Sequence, residues 1–216
     1  MKNRSFFIRA AVLALTLVMI CAVTGCGQEF NAGDYVKAMI DASYKGDYSA
    51  YTKQNIGSRD EGRKMHENNV KALVDSFSSM FGSDLDDQEL EDLGKAMESL
   101  CGAVKYDIGN VIELDGKYTV DVTASPLQFS TVLEDEEFNK EAEETVKGAM
   151  KDDPNIGDKE LMAALTGLLI DRFNEIASDP QYGKEKTVKV EVSKNDSGAY
   201  EIDSESWKKL DRALIQ

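Results

Sequence analysis

An α+β fold is predicted, with one antiparallel sheet of about four strands packed against helices. Three observations predict it. Two stretches alternate apolar and polar residues about tight-turn signals, Asp115-Gly116 and Asn195 to Gly198. Between and around them, apolar residues recur at helical spacing. The elements run helices, hairpin, helices, hairpin, helix, so a helical pair is added between the hairpins. Strands with one apolar face require helices to cover it, and a single sheet with helices on one side is the economical arrangement. No interior stretch is rich enough in Pro, Gly or Ser to divide the chain, so residues 34–216 read as a single α+β domain.

The first helix is predicted from Ala32 or Asp34 to Lys45, with Val36, Met39, Ile40 and Tyr44 on one stripe and Gly46 as its stop. A short helix follows near Tyr48–Lys53. Ser58 and Glu61 form a capping-box pair opening a helix striped by His66, Val70, Leu73, Val74, Phe77, Met80 and Phe81, with Gly82 to close it. Asp86 and Glu89 repeat the device for a helix striped by Leu90, Leu93, Met97, Leu100, Cys101 and Val104. These two form an antiparallel pair.

Tyr106 and Ile108, then Ile112 and Leu114, alternate with polar residues, with an irregularity expected at Gly109-Asn110. Tyr118, Val120, Val122 and Ala124 form the return strand, ended by Ser125-Pro126. Glu134 to Met150 is predicted as a helix carrying Phe138, Ala142, Val146 and Met150. Asp158 is expected to cap the next, striped by Leu161, Leu165, Leu168, Leu169, Phe173 and Ile176 and stopped at Asp179-Pro180. Val188, Val190 and Val192 pair with Tyr200 and Ile202. Asp203 caps a last helix facing inward through Trp207, Leu210 and Leu214.

The amino end has a different character. Lys2, Arg4 and Arg9 precede an uncharged, mainly apolar run of 14 residues, Ala10 to Val23, and no acid occurs before Glu29. A spanning helix needs about 20 apolar residues, so the run suits a signal peptide. It ends in Val23-Thr24-Gly25-Cys26, which resembles a bacterial lipobox. The resemblance implies cleavage between Gly25 and Cys26 and a diacylglyceryl group on the Cys26 sulfur. Residues 1–25 are then a lipoprotein signal peptide, and 26–33 the lipidated cysteine with a short tether. The seven residues Gly27 to Gly33 reach at most about 25 Å. The expected location is extracytoplasmic, lipid-anchored to the cell membrane.

Without the leader the chain carries 22 Lys+Arg against 40 Asp+Glu, a formal charge of −18. Such a surface repels phosphate backbones, so no nucleic-acid partner is expected. It also repels anionic headgroups, which leaves acyl chains to hold the protein at a membrane. Cys101 is the single thiol beyond Cys26. It cannot form an internal disulfide, and it lies on an apolar helix face as an inert, buried side chain.

No motif carries recognisable chemistry. His66, the single histidine, lies on an apolar stripe and reads as structural. Asp84-x-Asp86 starts like a calcium loop but places Glu89 where glycine belongs and Lys95 where glutamate belongs. Asp153-x-Asn155-x-Gly157 places its glycine one position early and ends on Ala164. No metal and no cofactor is expected. Forty acids always supply some close pair, so carboxylate pairs alone point to nothing. Tyr35, Tyr44, Tyr106 and Tyr118 are the candidate ligand-binding residues, as aromatics able to line a concave sheet; the bland alternative is that they edge the core.

Tyr44-Lys45-Gly46-Asp47-Tyr48, and the tail from Val188-Lys-Val-Glu-Val through Gly198-Ala-Tyr-Glu-Ile-Asp into the Trp207 helix, resemble segments of lipoproteins of Gram-positive bacteria. Many of those have the cystatin-like, or nuclear transport factor 2-like, cone fold. The resemblance implies a cone-like sheet around helices and a surface location. Enzymes of that fold use an acid and tyrosines within the cone, but none of their positions maps onto this chain. The expected role is a non-enzymatic binding or interaction module for a small ligand or an envelope protein. The alternative is a small-molecule enzyme using carboxylate and tyrosine residues in a pocket. A transporter solute-binding lipoprotein is a third reading, weakened by the two tight hairpins.

Overall fold

The structure is a computed structural model, and it describes residues 30–81, 85–128 and 135–215. It is α+β, with seven helices and a four-stranded antiparallel open sheet among the described residues. In chain order the elements are α1 Ala32–Lys45, α2 Ser49–Lys53, α3 Arg59–Phe81 and α4 Asp87–Gly102. Then follow β1 Lys105–Leu114, β2 Lys117–Ser125, α5 Glu136–Asp152, α6 Asp158–Ser178, β3 Lys186–Lys194, β4 Tyr200–Ile202 and α7 Ser204–Leu214.

Helix α1 is the centre of the molecule. Asn31 caps it by accepting the Asp34 N–H at 3.1 Å, and Gly46 ends it at φ 62°, a left-handed backbone that suits glycine. Eleven of its 14 residues are buried, because β1 and β2 lie against it on one side and α3 and α4 on others. Its first residue, Ala32, is buried, and Phe30 ahead of it packs on Tyr35, Tyr118 and Tyr200. The packed domain therefore reaches back to Phe30, and part of the expected tether belongs to the fold.

The sheet order is β1-β2-β3-β4, so the hairpins join through β2 and β3 across the intervening helical pair. Val120, Val122 and Ala124 share the inner face with Val190 and Val192, under α1 and α7. Across β2 and β3 the outer face is polar. Lys189 pairs with Asp121 at 2.7 Å, and the Thr123 and Thr187 hydroxyls are bonded at 3.0 Å. Asp115 and Gly116 sit at φ 52° and 74°, the two positive values that a tight hairpin turn of the right twist requires.

The irregularity at Gly109-Asn110 is a bulge: Ile108 faces Val122, but Val111 faces Val120. Because side chains alternate with period two, one extra residue reverses which face each later residue takes. Ile112 and Leu114 would share the inner face with Ile108 in a regular strand. The bulge sets them opposite Thr119 and Lys117 on the outer face, where they are 57% and 71% exposed.

Helices α3 and α4 pack beside α1, α6 packs on α4, and α5 packs on α6. Two expected helix limits shift. Helix α5 starts at Glu136, with Asp135 accepting the N–H groups of Glu137 and Phe138. Asp158 is the first residue of α6 and not its cap, a position held by Gly157 without a side-chain bond. Gly82, Asp84 and Glu134, and the residues of the leader and anchor including Gly25 and Cys26, lie outside the described residues.

Candidate functional site: a groove between α3 and α4

The opening of each helix is locally determined. Ser58 Oγ accepts the Glu61 N–H at 3.2 Å, while Glu61 Oε2 accepts the Ser58 N–H at 2.7 Å. That backbone bond, with the Ser58 hydroxyl, holds the Glu61 carboxyl below its ordinary range. At the start of α4, Asp86 Oδ1 accepts the Glu89 N–H at 2.9 Å and Glu89 Oε2 accepts the Asp86 N–H at 2.7 Å. Early α3 then lies beside late α4, as an antiparallel pair requires: His66 Nε2 is 3.5 Å from Glu98 Oε1.

Between the two helices runs a groove of about 400 Å³. Val70 and Val74 of α3 and Leu90 and Gly94 of α4 supply its apolar part. Gly94 makes the groove: a side chain there would meet nothing within 4 Å. The rim is charged, with Lys71 bonded to Asp75 at 2.7 Å. His66 closes one end and is 6% exposed. Its Nδ1 lies 3.0 Å from the carbonyl oxygen of Ser43, which also accepts from Asn69 Nδ2 at 3.2 Å. A carbonyl can only accept, so Nδ1 carries the proton and Nε2 faces Glu98. The ring thereby ties α3 to the carbonyl-rich end of α1. Its structural reading holds for Nδ1, while Nε2 belongs to the groove.

A smaller polar cleft of about 220 Å³ lies where α1 gives way to α2, lined by Gly46, Asp47, Tyr48, Ser49, Thr52 and Arg59. Asp47 Oδ1 accepts the Ser49 N–H at 2.9 Å, and the Ser49 bonds hold its carboxyl below the usual range.

The four candidate tyrosines have separate hydrogen-bond or ring partners, and Phe30 packs on two of them, Tyr35 and Tyr118. Tyr35 is buried and donates to the Tyr200 carbonyl at 2.9 Å. Tyr44 is buried and donates to Asp211 on α7. Tyr106 donates to Asp41 Oδ1 at 2.6 Å, beside Lys37 and Lys45, which pair with the same carboxylate. Tyr118 packs edge-on to Phe30 and Tyr200 at the end of the sheet. None lines either cavity just described. Each is placed by a partner distant in sequence, 165 residues away for Tyr35 and 167 for Tyr44.

Tyr44 with Asp211, and Tyr106 with Asp41, are therefore acid–tyrosine pairs. Burial pushes the Asp211 carboxyl from 3.8 up to about 7, against the lowering effect of the Tyr44 hydroxyl. Burial, then the Asp211 charge, pushes Tyr44 well above 10. Tyr106 is raised by burial and then by Asp41. The Cys101 thiol, free and buried, is pushed up to about 12 by burial, which makes it a poor nucleophile. Among the described residues, no three His, Cys, Asp or Glu side chains converge as metal ligands, and no helix is long and apolar enough to cross a membrane. At Asp153, Oδ1 accepts the Asn155 N–H at 2.9 Å within a turn.

No family model matches the chain, and no curated protein matches it either. Among solved structures, a putative lipoprotein (ycdA) of Bacillus subtilis is similar in fold, at TM-score 0.59 and 19% sequence identity. The match covers 84% of this chain and 55% of that one, so the chain spans about half the length of its structural neighbour. The α+β fold is thus shared with a protein described as a lipoprotein.

Proposed function

We propose that the protein is a lipid-anchored, extracytoplasmic binding module without enzymatic activity, and that the α3–α4 groove is where it binds. The leader ending in the Val23–Cys26 box supports the anchor, and the shared fold with a lipoprotein agrees with it. The cystatin-like reading has support in α1 lying across the inner face of an antiparallel sheet.

The observation that carries the binding role is the groove's floor. Val70, Val74, Leu90 and the open space over Gly94 form an apolar trough with charge only at its rim and ends. That suits an apolar ligand, or an apolar stripe on an envelope protein, with His66 and Glu98 available to a polar group at one end. Anilinonaphthalene sulfonate, which fluoresces in apolar clefts, is the probe. Gly94→Leu fills the trough and is expected to abolish most of the dye's enhancement while the circular dichroism spectrum is retained. Unchanged enhancement in a folded Gly94→Leu protein sinks the assignment.

The enzyme reading is favoured by one observation, the Tyr44–Asp211 pair with its raised carboxyl. Acid and tyrosine face one another there, and neither described cavity opens onto them. A turnover lost in Asp211→Asn would restore that reading.

A further inference from the structure

We propose that the tip of the β1–β2 hairpin is a second membrane contact, with Ile112 and Leu114 entering the outer surface of the bilayer beside the acylated Cys26. The proposal rests on the anchoring reading above and adds to it the face that the domain turns to the lipid.

Three features of the structure converge on this end of the sheet. The first is the apolar tip. The Gly109-Asn110 bulge turns Ile112 and Leu114 away from the core, and Val111 on the inner side is also 44% exposed. A sheet edge carrying uncovered apolar residues invites a partner.

The second is the chain's entry point. Phe30 packs 5.2 Å from Tyr118, whose strand partner Glu113 lies between Ile112 and Leu114. A side chain on Gly33 would meet Ile108 Cγ2 and Val111 Cγ2, each at 3.3 Å, so the start of α1 lies over the bulge from which the tip projects. The four residue-to-residue steps from Cys26 to Phe30 reach at most about 14 Å. An acylated Cys26 therefore holds this end of the sheet near the bilayer, and the occupant it presents to the hairpin is lipid.

The third is where the second hairpin turns. Tyr118 pairs with Val192 and Lys194 with Tyr200, so the Asn195–Gly198 turn is at the same end. Lys117 and Lys194 are exposed there. Their long stems can lie along the acyl boundary with the ammonium groups among the headgroups. Glu113, Asp115 and Asp196 share that end, so net attraction to anionic lipid is not what drives the contact; apolar insertion is.

The test uses the full acylated protein in vesicles of phosphatidylethanolamine and phosphatidylglycerol. Leu114→Cys is labelled with an environment-sensitive dye, and Met150→Cys on α5 is the control. Cys101 is buried and Cys26 is blocked by its lipid, so labelling is selective. The expected result is a blue-shifted emission at position 114 and quenching by spin-labelled lipid, with neither at position 150. Lys117→Cys repeats the measurement should Leu114→Cys not fold. A water-like, unquenched label on an acylated, vesicle-bound protein overturns the hairpin contact and leaves the anchor standing. So does a blue shift that follows dimer formation without lipid quenching, which would assign the edge to a second copy. Mass spectrometry showing no acyl group on Cys26 overturns the anchor, and the hairpin contact with it.

Discussion

Helix α1 and helix α5 are of similar length and both carry an apolar stripe, yet they live in different surroundings. Eleven of 14 residues are buried in α1, whereas in α5 Phe138 alone of 17 is buried. Met150, on the stripe read from sequence, is 51% exposed. The reason is the number of neighbours. Sheet and helices surround α1, while α5 leans on α6, and α6 in turn packs chiefly on α4. Periodicity reports that a helix has an apolar face; it does not report how deeply that face is covered. The molecule thus has a solid half, made of α1, the sheet and α7, and a lighter half that ends in α5.

The comparison can be broken most forcefully at α1. Ile40→Ala removes a fully buried side chain and is expected to cost about 2–5 kcal/mol, read from the urea midpoint. Val146→Ala on the half-buried stripe of α5 should cost well under that. Equal losses would abolish the division.

Asp211 tests the solid half by pH. Its carboxyl is held up to about 7, above the ordinary 3.8, so the native state keeps a proton that the unfolded chain releases. Its stabilising contribution is complete below about pH 4 and is lost as pH rises through about 7. The loss is on the order of 4 kcal/mol, at about 1.4 kcal/mol for each unit between the two values. Asp211→Asn, which keeps an acceptor for Tyr44, should flatten the stability profile between those limits. A wild-type profile already flat there would show that Asp211 ionises freely.

Caps sharpen the contrast at a smaller scale. Ser58→Ala at α3 should lower global stability by about 1 kcal/mol. Asp135→Ala at α5 removes an equivalent cap, but its effect should appear mainly as faster amide hydrogen exchange within α5. Exchange in α5 as slow as in α1 would mean that the two halves open together. The smallest effect belongs to Met150→Ser, expected within about 0.5 kcal/mol of the parent.

Much of the fold was legible because its signals are local. Both capping boxes, Gly46, Asp115-Gly116 and Asp203 act within four residues of themselves, and the structure places each as expected. The bulge at Gly109-Asn110 was legible as a place but not as a consequence. Which face Ile112 takes depends on the count of residues opposite it, and that count is a property of the pair of strands. The site was less legible. The groove exists because Val70 and Val74 meet Leu90 and Gly94 across an antiparallel pair, and nothing near Gly94 in sequence marks it as a floor. Tyr35 and Tyr44 read either as lining of a concave sheet or as aromatics at the core's edge; both are buried, and their hydroxyls are satisfied by groups more than 160 residues away, which no local pattern reports. Phe30 read as tether because one aromatic residue has no period.

The stacking of Phe30 on Tyr200, with ring centroids 3.4 Å apart, joins the beginning of the domain to its last hairpin. A pull on the chain ahead of Phe30 is met first by that ring pair and by the strand carrying Tyr200, before any turn of α1 can unwind. Mechanical load from the amino end is shared between the start of α1 and the last hairpin, and a Phe30→Ala protein held by its amino end should yield at lower force.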